Sequence, residues 1–380
     1  MSPRPPPPPP PTSAAALRKL LADAQATGSC LQMPCVYDGL TARLVERAGF
    51  PLTFMTGYGV SAVHGLPDTQ LISYAEMQQS ARLVTESLTR IPCFGDGDTG
   101  YGSAANVERT VRGYAAAGLA GIMIEDQVSP KKCGHTKGKD VVPFEDAVAR
   151  VRAAVLARDR LIAERNPPPA GAGAGAGAAA AAVAAAGRVG ATGASSPEQR
   201  DKDDDGDDEA DELAHLHLPG DLVIIARTDA RGVLGMDEAL RRLQAFRAIE
   251  GFRPTDMTFL EAPESEEEMA RYGREVPGPK LANCLEKGLT PILPPERLAA
   301  LGYTVAAYPL SLLAASIAAM DAVLAKLANG EPLPVDANDN DGGGGGESGA
   351  DRRGVLSSFR RTCEAVGFDE YYERVQTFGE

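Results

Sequence analysis

Eight short apolar runs, each followed by a stretch of helical periodicity, alternate along the chain, and no other feature limits the possible folds as strongly. The runs are MPCVYD (33–38), LTFMTG (52–57), IPCFGD (91–96), GIMIED (121–126), LVIIART (222–228), MTFLEA (257–262), PKLANC (279–284) and YTVAAYP (303–309). Amphipathic stretches lie between them, such as YAEMQQSARLVTESL, NVERTVRGYAAAG, FEDAVARVRAAVLARDRLIAER, MDEALRRLQAFRAIEG and PPERLAALG. A strand whose chain returns through a helix pairs in parallel with the next, so the pattern predicts a parallel sheet. Eight units suit a closed (β/α)8 TIM barrel. An open doubly wound sheet is the alternative, but it would gather its polar residues near one switch point. Here nearly every run ends in polar residues, as the C-terminal rim of a barrel does.

Three stretches are foreign to the rest in composition: the Pro-rich tail 1–13, the segment 166–219 with its Gly/Ala tract and DKDDDGDDEADE block, and the Gly/Asp-rich 336–351. None carries the apolar residues a core needs, and each is expected to be disordered. The barrel is therefore expected over 14–335, interrupted by 166–219 on the side away from the chemistry, with 352–380 a C-terminal helical segment. His215 and His217 have no companion ligands at metal spacing and read as linker residues. A formal net charge of −14 argues against a nucleic-acid surface. The six cysteines show neither CxxC pairing nor zinc spacing, which suits a reduced, intracellular and most simply cytoplasmic protein, with organelle targeting left open by the Pro-rich start. Outside the Ala/Gly tract no unbroken apolar run reaches the roughly 18 residues of a membrane span, so no membrane partner is expected.

The third run leads into GDGDTGYG (95–102), where Asp96 and Asp98, two residues apart, face one small volume. The fourth ends in Glu125 and Asp126. A few hard carboxylate oxygens suit Mg²⁺ that keeps several waters, or Mn²⁺, better than a soft metal. After the fourth run comes EDQVSPKKCGHTKGKDVVP, in which Cys133 follows Lys131 and Lys132 and precedes Gly134 and His135. Neighbouring cations lower a thiol's pKa, so Cys133, with Lys132 and His135 beside it, is suited to proton exchange, and the glycine-bearing charged loop to closing over a site. ARTDA offers Arg227 to a carboxylate, and LEAPES offers Glu261. Asn283 and Thr290 can donate hydrogen bonds to a second carboxylate. FMTGYG adds Thr56, Gly57 and Tyr58, the glycine allowing close backbone approach to a ligand. His64 and Asp68 read equally as structural residues or as supports behind the site.

GDGDTGYG, IEDQVSPKKCGH and ARTDA taken together resemble the isocitrate lyase/phosphoenolpyruvate mutase superfamily, over nearly all of the chain outside the three foreign stretches. The resemblance implies a (β/α)8 barrel whose C-terminal helices swap between subunits of a homodimer or homotetramer. It implies Mg²⁺ held by Asp96, Asp98 and Glu125 with Asp68 behind them. Thr56, Gly57 and Tyr58 would contact the substrate's 2-oxo or 2-hydroxy carboxylate end, Arg227, Glu261, Asn283 and Thr290 would line the rest of the pocket, and KKCGH would be the gate. The Cys of KKCGH is similar to the carbon–carbon lyases; phosphonomutases carry an Asn-containing loop there. LEKGLTPI stands where isocitrate lyase has a Ser-rich segment, and Phe54 stands where isocitrate and 2-methylisocitrate lyases have Tyr, which leaves Tyr58 or a water as the candidate base. The pattern looks most like the petal-death-type and 2,3-dimethylmalate lyases. The activity expected is Mg²⁺-dependent cleavage of a 2-hydroxy dicarboxylate to a 2-oxo acid and a carboxylic acid, with oxaloacetate hydrolysis or phosphonate chemistry as alternatives and a small carboxylate as the partner.

Overall fold

Strands β1 (Leu31–Val36), β2 (Thr53–Met55), β3 (Cys93–Asp96), β4 (Gly121–Glu125), β5 (Val223–Thr228), β6 (Met257–Leu260), β7 (Lys280–Asn283) and β8 (Val305–Tyr308) pair in sequence order, and β8 pairs back onto β1. Every pairing is parallel, so the sheet is a closed barrel, as the alternation predicts. The computed structural model describes residues 12–132, 138–166, 220–335 and 356–378. The tail 1–11, the stretch 167–219 and residues 336–355 lie outside the described residues. So do Cys133, Gly134 and His135.

Both faces of a barrel strand are buried, which is why the runs read as continuous apolar segments. On β5, Val223 and Ile225 point into the barrel while Ile224 and Ala226 pack under the helices. The inner layer includes Phe54, Phe94, Met123, Phe259, Leu281 and Ala307. Outside it run α2 (Gly39–Arg47), α3 (Gly57–Val63), α4 (Tyr74–Glu86), α5 (Ala104–Ala116), α6 (Phe144–Arg165), α7 (Arg231–Leu234), α8 (Met236–Arg247), α9 (Glu266–Glu275), α10 (Pro295–Ala300) and α11 (Ser311–Ala328). The capping boxes at Asp38 and Ser73 start α2 and α4 by satisfying amides that have no partner inside the helix.

Helix α1 (Ala14–Thr27) has no counterpart in the strand–helix pattern. Its Leu17 and Leu21 enter the barrel interior beside Met33 and Val305, so α1 plugs the N-terminal mouth. Arg18, fully buried, fastens it there through Asp221 (3.1 Å), Asp256 (3.1 Å), Thr255 and the carbonyl of Leu222, all at the starts of β5 and β6. Asn166 and Gly220, the described residues on either side of 167–219, stand at this same end. A Cβ on Gly220 would stand 2.9 Å from Leu161 and Arg165 in the last turns of α6, so the flanks of that stretch meet below the barrel.

No unbroken apolar run of about 18 residues occurs among the described residues, yet one helix matches a membrane span in length and mean hydropathy. Helix α11 has 18 residues and a mean hydropathy of 1.6, enough by length and composition alone. Ser316, Asp321 and Lys326 break its apolar residues into short runs, which is why a search for an unbroken run passes over it. It follows β8 directly and packs on β1, so it is a barrel helix. Ile317, Met320, Leu324 and Leu327 form an exposed stripe along it at helical spacing. Near the C-terminus, α12 (Phe359–Val366) and α13 (Phe368–Phe378) rest on α2 through Arg43–Glu370 (2.9 Å) and leave Phe359 83% exposed.

Candidate active site

Strand parity builds the site. Side chains alternate across each strand, so the inward positions next above the apolar layer are Thr56 above Phe54, Asp96 above Phe94, Glu125 above Met123, Arg227 above Ile225, Glu261 above Phe259 and Asn283 above Leu281. All six stand at C-terminal strand ends, and all but the part-exposed Asn283 are buried. Five of them, Thr56, Asp96, Arg227, Glu261 and Asn283, line a cavity together with Tyr58, Asp68 and Lys131 on its polar side and with Cys35, Phe54, Met123, Phe259, Leu281, Leu285, Ala307, Pro309 and Leu310 on its apolar side; neither Glu125 nor Asp98 is in its lining.

The glycines of GDGDTGYG have local reasons. Gly97 donates to the Met123 carbonyl (2.9 Å), and a Cβ there would lie 2.6 Å from that oxygen, so the loop presses against β4 only because position 97 has no side chain. Glu125 then donates to the Asp98 carbonyl (2.9 Å), which ties the two acidic strand ends together. Asp98 itself adopts φ +48°, a left-handed conformation that aspartate tolerates. Its carboxylate is turned to Lys131, whose Nζ stands 2.8 Å from Asp98 and 2.7 Å from Asp68.

Arg227 is the second charge centre. Its guanidinium meets Asp229 (2.8 Å), Glu125 (3.1 Å) and Glu261 (3.1 Å) and lies over the Phe259 ring. Asn283 Nδ2 donates to Glu261 (3.3 Å). Neither carboxylate oxygen of Glu125 accepts a hydrogen bond; its contact is the Arg227 charge. Burial pushes the Glu125 carboxyl well above its ordinary pKa, with Arg227 opposing and Asp229 adding to the rise. Burial, then the Asp98 charge, raises Asp96 as well. Burial disfavours the Lys131 ammonium, but Asp98, Asp96, Asp68 and Glu125 around it outweigh that and hold its pKa well above the usual lysine value.

The remaining residues singled out in the sequence divide. Tyr58 is on the cavity wall, 36% exposed. Gly57 opens α3, with room for no Cβ against Asp96 (2.8 Å). Thr290 is buried with its hydroxyl unpartnered, but it does not line the cavity. Lys132 is exposed and its ammonium donates to the Gly138 carbonyl, whereas Lys131, in the sequence only a neighbour of Cys133, reaches the cavity. Asp126 points away from the site and accepts from Thr228 (2.6 Å), the Asp229 amide (2.9 Å) and Arg242 (2.9 Å). His64 is structural, its Nδ1 2.9 Å from the Val60 carbonyl.

A family model for phosphoenolpyruvate phosphomutase matches residues 20–163. The 2,3-dimethylmalate lyase of Eubacterium barkeri is 36% identical over 294 residues, which are 77% of this chain and 78% of that one. The chain belongs to the isocitrate lyase/phosphoenolpyruvate mutase superfamily. The chain is similar to two solved members: oxaloacetate acetylhydrolase with 3,3-difluorooxalacetate (TM-score 0.71, 28% identity, 97% of this chain and 98% of that one) and 2,3-dimethylmalate lyase (TM-score 0.70, 28% identity, 97% and 96%). The protein is an enzyme of this superfamily, whose members act on small carboxylates and use a divalent metal ion. The donor chemistry here suits such an ion: Asp96, Asp98 and Glu125 are hard, buried carboxylates on adjacent strand ends, and the two Glu125 oxygens lack hydrogen-bond donors. As the side chains stand, however, no three His, Cys, Asp or Glu among the described residues converge to hold one.

Proposed function

We propose that this superfamily member cleaves the C2–C3 bond of a 2-hydroxy dicarboxylate carrying alkyl substituents, giving a 2-oxo acid and a carboxylic acid. The two-sided cavity carries the reading. Its polar half has the charges to hold two carboxylates, and its other half, with Phe54, Phe259, Leu281, Leu285, Pro309 and Leu310, can bury methyl groups. Each buried methyl is worth about 0.8 kcal/mol, so an alkylmalate should be preferred over malate by several-fold per methyl.

In this reading Asp96, Asp98 and Glu125 hold Mg²⁺, for which Mn²⁺ can substitute. The ion would lower the pKa of the 2-hydroxyl and stabilise charge on the product 2-oxo acid. Tyr58, on the cavity wall, is the candidate base for the hydroxyl proton. As C2–C3 breaks, its electron pair passes to the departing fragment as an aci-carboxylate, and Cys133 supplies the proton to C3. Arg227 and Asn283 orient the substrate carboxylates, and the apolar wall keeps water from C3. Assignment of Cys133 rests on its KKCGH setting.

The deciding assay supplies 2,3-dimethylmalate, 2-methylisocitrate, oxaloacetate and phosphonopyruvate with Mg²⁺ to wild-type and Cys133→Ser protein. Pyruvate from an alkylated substrate, falling by about 10²-fold or more in the variant, is expected. Oxalate from oxaloacetate as the main product would favour the reaction named for the superposed acetylhydrolase, and phosphoenolpyruvate would favour phosphonate chemistry; either overturns the lyase reading.

The exposed apolar stripe of α11 supports a homo-oligomer that buries this face; exchange of the C-terminal helices, which rest here on α2 of the same chain, is implied by the family resemblance alone. Sedimentation should give a dimer or tetramer for the wild type and a shift toward monomer for Ile317→Glu/Leu324→Glu. A monomeric wild type at micromolar concentration would refute this.

A further inference from the structure

Among the acids expected to bind a cation, the chain already holds one of its own. The Lys131 ammonium is bonded to Asp68 and Asp98, is 4% exposed, and lies within the electrostatic reach of Asp96 and Glu125 as well. Its backbone is held too: the Gln70 side-chain oxygen accepts from the Lys131 amide (3.1 Å) and from Ser129 Oγ (2.7 Å), while the Gln70 amide donates to Thr99 beside Asp98 (2.9 Å). Gln70 thereby joins three loops around the acids, so the ammonium is delivered there by an organised segment. In this arrangement the carboxylates pair with Lys131 and Arg227 and do not converge on a common point.

An ammonium and a divalent cation a few ångströms apart in a buried site repel too strongly for one carboxylate to serve both. We propose that Lys131 is a resident counter-ion of the metal site, exchanged for the divalent ion: metal binding displaces its ammonium from Asp98 and frees it toward the cavity, where an anionic substrate group receives it. The inference rests on the acid-site reading given above. It adds that the ammonium keeps the acids compensated before the metal arrives, and that metal affinity without substrate is held down by the need to displace it. Metal and substrate binding are thereby coupled through one side chain.

The test titrates Mn²⁺ alone into the full chain and follows free Mn²⁺ by electron paramagnetic resonance. Lys131→Gln should bind Mn²⁺ on the order of tenfold or more tightly than wild type, and Lys131→Arg, which keeps the competing charge, should show no such gain. Equal or weaker binding by a folded Lys131→Gln protein would overturn the proposal. Should that variant fail to fold, the wild type answers by competitive amine labelling with acetic anhydride and mass spectrometry. Lys131 should be protected without metal and labelled several-fold faster with saturating Mn²⁺, and unchanged labelling under saturation would overturn the proposal. Glu125→Gln and Asp96→Asn separate the two levels: Mn²⁺ binding unaffected by both removes the acid site itself, whereas binding abolished by them but indifferent to Lys131 removes only the exchange.

Discussion

Arg18→Met is expected to lower the unfolding free energy by about 3–5 kcal/mol, the usual cost of breaking a buried ion pair from one side. The guanidinium is fully buried and its removal strands Asp221 and Asp256, as well as the Thr255 hydroxyl and the Leu222 carbonyl, at the closed end of the barrel. Arg158 (2.6 Å to Asp256) and Arg253 (2.9 Å to Asp221) remain, which keeps the loss from being larger. The pH dependence has a definite sign. Burial alone would raise both carboxyls, but the arginines outweigh it, Arg18 foremost at Asp221 and Arg158 then Arg18 at Asp256, and hold them below the ordinary range. A depressed carboxyl contributes stability that is complete above its unfolded pKa, about 3.9, and is lost as pH falls through the folded value. Urea unfolding should therefore give a constant gap between wild type and variant from pH 7 to about 5, narrowing only below about pH 4. A gap under about 1 kcal/mol at pH 7 would mean that α1 does not depend on this network.

That network also marks where reading the sequence stops. Arg18 meets partners more than 200 residues away, and no local periodicity signals such a pair. The helix that carries it falls within the expected 14–335 barrel but outside the strand–helix alternation, and nothing local signals that Leu17 and Leu21 fill the barrel mouth. The rim is different. Once eight strands are recognised, parity alone selects Asp96, Glu125, Arg227, Glu261 and Asn283 as the inward residues above an apolar layer. The same rule separates Glu125 from Asp126, since neighbours on a strand face opposite ways, and Asp126 is indeed bound to Thr228 and Arg242 outside the site. Loops obey no such rule. Of the adjacent Lys131 and Lys132 the sequence gives no reason to choose, and the choice is made by Gln70, which fastens the Lys131 backbone from a loop 61 residues away. Residues 133–137, with Cys133, Gly134 and His135, lie beyond what the described residues address, and their roles stand on the KKCGH resemblance.

Glu125→Gln should reduce kcat/KM by about 10³-fold, the scale of several kcal/mol of charge stabilisation lost at a reacting centre. The substitution keeps shape and volume and removes only the charge, in a side chain whose oxygens receive no hydrogen bond from the protein. Arg227 keeps Asp229 and Glu261, so its guanidinium remains paired. What distinguishes this from structural damage is the accompanying change in stability. A buried carboxylate held mainly by one charge costs the fold desolvation energy, and replacing it with a neutral isostere relieves that cost. The variant is therefore expected to melt at the same temperature as wild type or higher while losing turnover and Mn²⁺ affinity together. Arg18→Met should do the opposite, losing stability while keeping turnover in the fraction that remains folded. If Glu125→Gln instead retained turnover within about threefold, Glu125 would be only a partner of Arg227, and the reaction would have to be sought in the Asp96, Asp98 and Lys131 half of the rim.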